Sequence, residues 1–461
     1  MPTYTDKIVD FVLNTNHGDI PPEALAEARR ATFDCVGVTL AGAKDPAGQI
    51  PADWARSVSG GAGIATVWGH GFKTAPDHAA MVNGSAAHAL DYDDVTWPLV
   101  GHPSVSLVPT TIALAEQLGS AGKDVLAAYA LGFEVMTKIG KSIQPLHSLR
   151  ARWHATGTIG SMGSCAAAGK LLGLDGDQLE MALGICSSMT SGHVGNFGTM
   201  TKPLHGGLAA RNGIQAAQLA KLGFTAAKDC IGGHVKFNEV FAKDLPCDME
   251  PYDELGTLWD LTEWGLAIKY HPCCISAHTG IDAAKLLREE EGVSLDDIEK
   301  IDIGVVEYTM DKLSYTAPTT GYQGKFSMQY TVARMIQDGR LYLNTFTDEA
   351  VNDPVIQDFM PKVQMYHDEA AEKAWSMGCR PADMHATLKD GRTVQKQVKI
   401  SKGNKEVPLT DTELQDKFRD CASFVLKEAE IDQAIEMIEG IEGLNTVDSL
   451  AGVLGGIKLS Q

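Results

Sequence analysis

Apolar segments rich in Ala, Gly and Ser alternate with short polar breaks along the first 225 residues, a pattern typical of packed helices. Gly occurs at most of the breaks, as expected for helix C-caps and tight turns. Because small residues let helix backbones approach closely, we expect these helices to be covered on several sides. The predicted helices are Glu23–Leu40, His78–Leu90, Val105–Gly119, Gly122–Ile143, Gly157–Leu172, Asp177–Ser188 and Leu208–Leu222.

The pattern changes near residue 269. Residues 299–306 alternate like a half-buried strand, and residues 382–400 predict a hairpin with its turn at 389–392. Further helices are predicted at 282–290 and 327–338, and again at 410–428 and 431–441. The sequence therefore predicts a mainly α protein, with an all-helical domain (1–268 plus 405–461) and a smaller inserted α+β lid domain (269–404).

Composition narrows the possible partners. The chain has 461 residues, 44% hydrophobic and 21% charged, which suits a globular protein too long for one ordinary core. No apolar run is long enough to span a membrane, and residues 1–7 lack a signal-peptide pattern, so we expect a cytoplasmic protein without a membrane partner. A net charge of −20 argues against nucleic acid as a partner.

The sequence lacks the motifs of redox-active dithiols, zinc sites, nucleotide-binding loops and serine hydrolases. The nine cysteines form no C-x-x-C motif and indicate buried, reduced thiols. His271, Cys273, Cys274 and His278 lack the spacing of a zinc site, so we expect no metal. The segment Gly119–Asp124 fails the P-loop spacing, and neither G-x-G-x-x-G after a strand nor G-x-S-x-G occurs.

One cluster of polar residues stands out at the end of a predicted buried helix. Asp91, Asp93, Asp94 and His102 lie within twelve residues, and carboxylates with an imidazole can move protons near neutral pH. The acids could simply end a helix at the surface, and His102 could be an ordinary loop residue. We favour function, because several titratable groups in a small-residue context are uncommon.

Two further segments carry candidate polar groups. His154 precedes a small-residue helix, whose N-terminus favours anions. Lys202 and His205 lie in a Gly-rich segment, residues 196–207, which we interpret as a loop entering a helix and a possible anion cradle. The alternatives are that His205 only caps a helix and that His88 is a packed helix residue.

These segments resemble the MmgE/PrpD family, which includes 2-methylcitrate dehydratases, cis-aconitate decarboxylases and iminodisuccinate epimerases. The resemblance implies a helical domain with an α+β lid, a homodimer, no metal or organic cofactor, and a small di- or tricarboxylate substrate. By position it implies a pocket of Asp91, His102, His154, Lys202 and Lys269. The motifs that carry it are His88–Asp94, Gly101–Ser104, His154–Thr158, Thr199–His205 and Phe326–Tyr330.

The match to the family is offset at some positions. Thr96 stands one residue later than the family threonine, and Tyr330 is a candidate to reach the site from the lid. The spacer before His102 is shorter than in methylcitrate dehydratases. Cys274 stands where the decarboxylase branch has a His.

The three reactions of the family all build negative charge on a carbon next to a carboxylate, and the enzyme must stabilise that charge as it forms. We expect Lys202, Lys269 and the helix start at Thr156 to hold substrate carboxylates, with Thr96, Tyr330 and His205 as further binding residues. His102 and His154 are the predicted acid/base pair, with Asp91 fixing one imidazole. The first interpretation is a cofactor-independent hydro-lyase; an epimerase, a cis-aconitate-type decarboxylase and a non-catalytic carboxylate-binding paralogue remain alternatives.

Overall fold

A computed structural model describes residues 2–60, 62–232, 235–243, 246–376 and 378–456. The protein is mainly α. It divides into two compact units: the helical unit, Met1–Leu266 with Leu414–Gln461, and the mixed unit, Ala267–Glu413. Among the described residues, no helix combines the length and apolar character needed to cross a membrane.

The helical unit contains most of the long helices. Those before residue 267 are α1 (Tyr4–Asn14), α2 (Pro22–Gly42), α3 (Pro46–Ser59), α4 (Pro76–Ala89), α5 (Ser104–Leu118), α6 (Gly122–Ile143), α7 (Ala155–Leu172), α8 (Gly176–Met189), α9 (Thr201–Lys221), α10 (Phe237–Phe241) and α11 (Asp260–Glu263). A two-stranded antiparallel ribbon, β1 (Ala65–Val67) with β2 (Phe72–Thr74), lies between α3 and α4 in the sequence.

Residues 267–413 form the mixed unit around a four-stranded sheet. Its helices are α12 (His278–Glu291), α13 (Glu307–Lys312), α14 (Gly321–Gly324), α15 (Met328–Asp338), α16 (Asp348–Val351), α17 (Pro354–Phe359) and α18 (Glu369–Ala374). Its strands are β3 (Ile298–Val305), β4 (Val363–His367), β5 (Ala382–Leu388) and β6 (Thr393–Val398). The strand order is β4-β3-β5-β6, with only the β3–β4 pair parallel. Alternate residues of β5 are buried, because one face of the sheet covers the apolar core of this unit.

The chain ends with α19 (Asp411–Ala422), α20 (Glu428–Glu439) and α21 (Asp448–Gly455). The sequence predicted one helix over 410–428, but α19 ends at Ala422. The backbone N–H of Lys427 donates to Glu430 Oε2 at 2.9 Å, which begins a new helix. Neither Gly nor Pro marks this break, so the hydrophobic pattern alone did not locate it.

Helices α4, α5, α7 and α9 pack against one another at the centre of the helical unit. A Cβ on Gly207 of α9 would lie 2.1 Å from the Met81 carbonyl oxygen and 2.3 Å from Ser85 Oγ, both on α4. Two backbones can approach this closely only where no side chain intervenes. The small residues of the sequence therefore allow α9 to lie directly on α4.

Gly207→Ala should destabilise the protein by at least about 2 kcal/mol, because the new methyl group meets backbone that cannot rotate away. Gly443→Ala is the matched control, since nothing lies within 4 Å of its added Cβ. Urea unfolding of both variants measures the difference. Equal stability of the two variants would contradict the close contact of α4 with α9.

Candidate active site

The loop between α4 and α5 is held in place by a hydrogen bond within it and by contacts from two other parts of the chain. Asp91 lies in the left-handed region with φ 54°, directly after the end of α4. Thr96 donates its N–H to the Gly101 carbonyl at 3.0 Å and its hydroxyl to the Gly265 carbonyl at 2.9 Å. The ammonium of Lys417, on α19, donates to the Tyr92 carbonyl at 2.9 Å. The acidic residues of this loop therefore have fixed positions.

Asp93 is the carboxylate that contacts the imidazoles. Its Oδ2 lies 2.8 Å from Nδ1 of His88 and 2.8 Å from Nδ1 of His102. Burial acts to raise the pKa of the Asp93 carboxyl, but the contacts with His102 and His88 lower it well below its usual range. Asp93 is therefore an ionised carboxylate, buried between two imidazoles.

His88 is a neutral imidazole at the C-terminal end of α4. Burial lowers its pKa to about 3, although the charge of Asp93 opposes this shift. Its Nδ1 is at hydrogen-bonding distance from Asp93, and its buried Nε2 has no hydrogen-bond partner among the described residues. The ring centroid lies 4.4 Å from that of His102 and 5.7 Å from that of His154. His88 therefore touches both imidazoles of the predicted acid/base pair.

His154 and His205 form a second imidazole pair. His154 is the N-cap residue of α7, as predicted, and its Nδ1 lies 3.0 Å from Nδ1 of His205 on α9. Burial lowers the pKa of His154 well below its usual value and that of His205 to about 4. In such a neutral pair one ring donates its N–H and the other accepts. Gly192 passes beside this pair with φ 122°, where a Cβ would lie 3.0 Å from the His205 ring.

Lys202 supplies positive charge beside these rings. Its Nζ lies 2.6 Å from Asp91 Oδ1 and 5.6 Å from the centre of the Phe197 ring. Phe197 in turn meets the His154 ring edge to face, with centroids 4.8 Å apart. The ammonium contributes to the lowered pKa of His88 and His154, which places all these groups in one electrostatic cluster. Such a local cation is what an anionic ligand requires in a protein with a net charge of −20.

Known proteins match this chain along most of its length. Residues 6–250 match the MmgE/PrpD N-terminal domain, and residues 271–442 match the MmgE/PrpD C-terminal domain. The chain belongs to the MmgE/PrpD family. The family resemblance inferred from the sequence motifs is thereby confirmed.

Several curated relatives within the MmgE/PrpD family are named as enzymes. A cis-aconitate decarboxylase of Mus musculus is 29% identical over 96% of this chain and 91% of its own length. A cis-aconitate decarboxylase of Aspergillus terreus is 27% identical, covering 98% of this chain and 95% of its own. A 2-methylcitrate dehydratase of Salmonella typhimurium is 26% identical over 66% of each chain.

In this family member the structure brings together six of the predicted site residues: Asp91, His102, His154, Thr156, Lys202 and His205. Thr156 accepts a hydrogen bond from the His102 N–H at 3.0 Å, so its hydroxyl fixes the position of His102. Thr96 belongs to the same unit, where its hydroxyl is bonded to the Gly265 carbonyl.

Lys269 and Tyr330 belong to the mixed unit. Lys269 is 2% exposed. Tyr330 is fully buried, and its hydroxyl donates to the Thr345 carbonyl. Both therefore remain predicted substrate-binding residues.

The interpretation of residues 196–207 as a loop needs correction, since α9 begins at Thr201 and includes both Lys202 and His205. Pro203 is tolerated in the first turn of a helix, where its missing N–H would have no partner. Gly206 and Gly207 do not form an anion cradle, because they lie at the contact of α9 with α4 and α5. Lys202 therefore projects from a helix anchored in the core.

Among the described residues, one group has the geometry to hold a metal ion. Ligand atoms of His88, Asp91 and His102 lie within 4.8 Å of one another. Imidazoles with a carboxylate can bind zinc. However, Lys202 pairs with Asp91 at 2.6 Å and places a cation where a metal would need this carboxylate. The arrangement therefore suits proton transfer and anion binding better than metal binding.

Two residues of the cluster had no assigned role at the sequence level. Asp93 was one of three neighbouring acids, and the carboxylate assigned to an imidazole was Asp91. In the structure Asp93 contacts His88 and His102, while Asp91 is paired with Lys202. His88 stood in an apolar helix, where a packed helix residue was the alternative interpretation. The one sequence signal for this contact was the five-residue spacing from His88 to Asp93. That spacing predicts a contact only when the end of α4 between them is known.

Proposed function

We propose that this protein is a cofactor-independent lyase that decarboxylates a small di- or tricarboxylate of the cis-aconitate type. The observation that carries the proposal is the cluster of neutral, buried imidazoles around an ionised Asp93, with Lys202 beside it. It combines a proton carrier with a carboxylate-binding cation. The relatives named as cis-aconitate decarboxylases, matched over nearly the full chain, support this reaction above the hydro-lyase first favoured from the sequence.

Decarboxylation requires the site to accommodate an electron pair and to supply one proton. Decarboxylation breaks the bond between carbon and the departing carboxylate, which leaves as CO2 while the electron pair stays on the substrate. With a neighbouring double bond, the pair moves into a new double bond and the far carbon takes up one proton. The substrate therefore exchanges CO2 for a proton, with no oxidant or reductant.

His102 is the proposed donor of that proton. Its side chain is 13% exposed, so it can recover a proton from solvent, whereas the side chain of His88 is fully buried. Asp93 stabilises the protonated ring, and Thr156 fixes the backbone of His102. Proton transfer then passes through the most accessible imidazole of the cluster.

Lys202 is the proposed binding group for a carboxylate that stays on the substrate. Its partner in the free protein is Asp91, so a substrate carboxylate would share or replace that contact. A cation here also stabilises negative charge on the adjacent carbon as it forms. Lys269, Tyr330 and Thr96 remain proposed contributors to substrate binding, and a homodimer remains the proposed assembly.

Dehydration of a hydroxylated tricarboxylate is the second candidate, supported by the 2-methylcitrate dehydratase of Salmonella typhimurium. The same imidazoles would then remove a proton next to a carboxylate, and hydroxide would leave from the neighbouring carbon as water. The two reactions use the same cluster but differ in their products.

Incubation of the full chain with cis-aconitate and with 2-methylcitrate in D2O, followed by NMR, distinguishes these functions. We expect CO2 and a product carrying one new deuterium from cis-aconitate, with Lys202→Met reduced at least about 100-fold. An alkene formed from 2-methylcitrate without CO2 would favour the dehydratase. Deuterium entering unchanged substrate would instead indicate an epimerase.

A further inference from the structure

Asp93 Oδ2 is shared unequally by two imidazoles. Both Nδ1 atoms lie 2.8 Å away, but only the contact of His88 has the alignment of a hydrogen bond. The Nδ1 of His102 makes a close ionic contact without that alignment, and Asp93 Oδ1 has no hydrogen-bond partner among the described residues. His88 therefore holds the aligned hydrogen-bonding position on a carboxylate that His102 also contacts.

We infer that His88 is a positioning residue that divides the Asp93 carboxylate with His102 and thereby sets the pH range over which His102 carries a proton. The inference rests on the proposed function only in giving His102 the proton transfer. The competition for Asp93 is a property of the free protein and can be measured without any substrate.

The competition acts through hydrogen bonding rather than through charge. Because burial lowers the pKa of His88 to about 3, its ring is uncharged at neutral pH. Replacing it by another uncharged residue leaves the net charge of the cluster unchanged. The carboxylate, however, would lose its aligned donor and could turn fully to His102, whose protonated form it would then stabilise more strongly.

Other charged or titratable groups face the same rings. Asp91 lies in the same loop as Asp93, His154 contributes from the start of α7, and Lys202 contributes from α9. None of these groups is itself replaced when only His88 changes. A shift in the titration of His102 on replacement of His88 would therefore report the sharing of Asp93.

The test is an NMR titration of the imidazole signals in the free full-length protein with 15N-labelled histidine. With His88→Leu we expect the midpoint of His102 to rise by about one pH unit, a tenfold change in its proton affinity. With Asp93→Asn the midpoint should fall by at least as much, because the stabilising charge is lost. His88→Asn keeps an N–H donor near the position of Nδ1 and should restore the wild-type midpoint.

A purely structural role of His88 would not produce opposite shifts in the two variants. An unchanged His102 midpoint in His88→Leu, or an upward shift in Asp93→Asn, would overturn the inference. Should His88→Leu fail to fold, His88→Met, which has no side-chain N–H to donate, must give the same upward shift. Because no substrate is used, failure of this test is distinct from failure of the proposed reaction, which is measured by CO2 release.

Discussion

Replacing His102 with glutamine should lower kcat about 1000-fold and change KM only a few fold, since the loss of a general acid contributes roughly 100- to 10000-fold. Glutamine keeps a polar side chain of similar length but cannot carry the proton. The backbone bond from residue 102 to Thr156 Oγ1 does not involve the side chain and should persist. Steady-state kinetics on the substrate identified by CO2 release measures both constants.

A half-buried pair of the same residue types, elsewhere on α4, provides the control. His78 contacts Asp77 at 3.8 Å at the start of α4, with 26% of its side chain exposed. His78→Gln should leave kcat and KM at wild-type values. If His102→Gln also retained wild-type turnover, proton delivery would have to pass through another group, and the assignment of His102 would be wrong.

The secondary structure of the helical unit follows closely from local patterns. The helix predicted at 122–143 is confirmed with identical bounds, and those at 78–90 and 157–172 agree within two residues. Small residues and Gly breaks are local signals, so each helix carries its own limits. The hairpin predicted for 382–400 is confirmed as β5 and β6 for the same reason.

The candidate site depends on contacts that no local pattern contains. The choice between Asp91 and Asp93 as partner of the imidazoles depends on the left-handed backbone at Asp91, which turns the chain after α4. The pairing of His154 with His205 joins residues 51 positions apart. Sequence motifs identified the residue types of the site, whereas the packing of α4, α7 and α9 decides which of them touch.

The interpretation of Gly206 and Gly207 shows the same limit. A Gly pair beside Lys and His suits both an anion-binding loop and a close helix contact. The decisive fact is that the backbone of α4 lies where a side chain of α9 would be. The position of α4 cannot be inferred from the sequence of residues 196–207.

Stability should reach its maximum near pH 6.5 and decrease on both sides, because two sets of buried groups oppose each other. Burial lowers the pKa of His88 to about 3, that of His70, His147 and His205 to about 4, and that of His154 in the same direction. The stability contributed by such imidazoles is complete above the unfolded pKa of 6.5. It is lost as the pH falls towards their folded values.

Two buried carboxyl groups act in the opposite direction. Burial, followed by the charge of Asp34, raises the pKa of Asp94 to about 8, and burial with the charge of Asp260 raises that of Glu134 to about 8. Their contribution is complete below the unfolded values of 3.8 and 4.5, and it is lost as the pH rises through about 8.

The net effect follows from the number of protons that unfolding takes up. Near pH 5.5 the unfolded chain binds about four to five more protons on imidazoles and two fewer on the carboxyl groups, so stability falls by about 3 to 4 kcal/mol per pH unit of acidification. Above pH 7 the imidazoles no longer differ. Unfolding then releases about two protons, and stability falls by a similar amount per unit of rising pH.

Urea unfolding between pH 5 and pH 8.5 measures the free energy of unfolding as a function of pH. Two variants test the acid limb and the alkaline limb of this profile separately. Asp94→Asn resembles the protonated acid beside Ser104 and Tyr129, so it should flatten the alkaline limb and leave the acid limb unchanged. His147→Gln should reduce the slope of the acid limb by about one proton, because its ring is buried between the Phe241 carbonyl and Thr158. A stability that rises steadily from pH 5 to pH 8.5 would contradict the protonated state of Asp94. It would also contradict an uncharged Asp94 side chain hydrogen-bonded to Ser104, the first residue of α5.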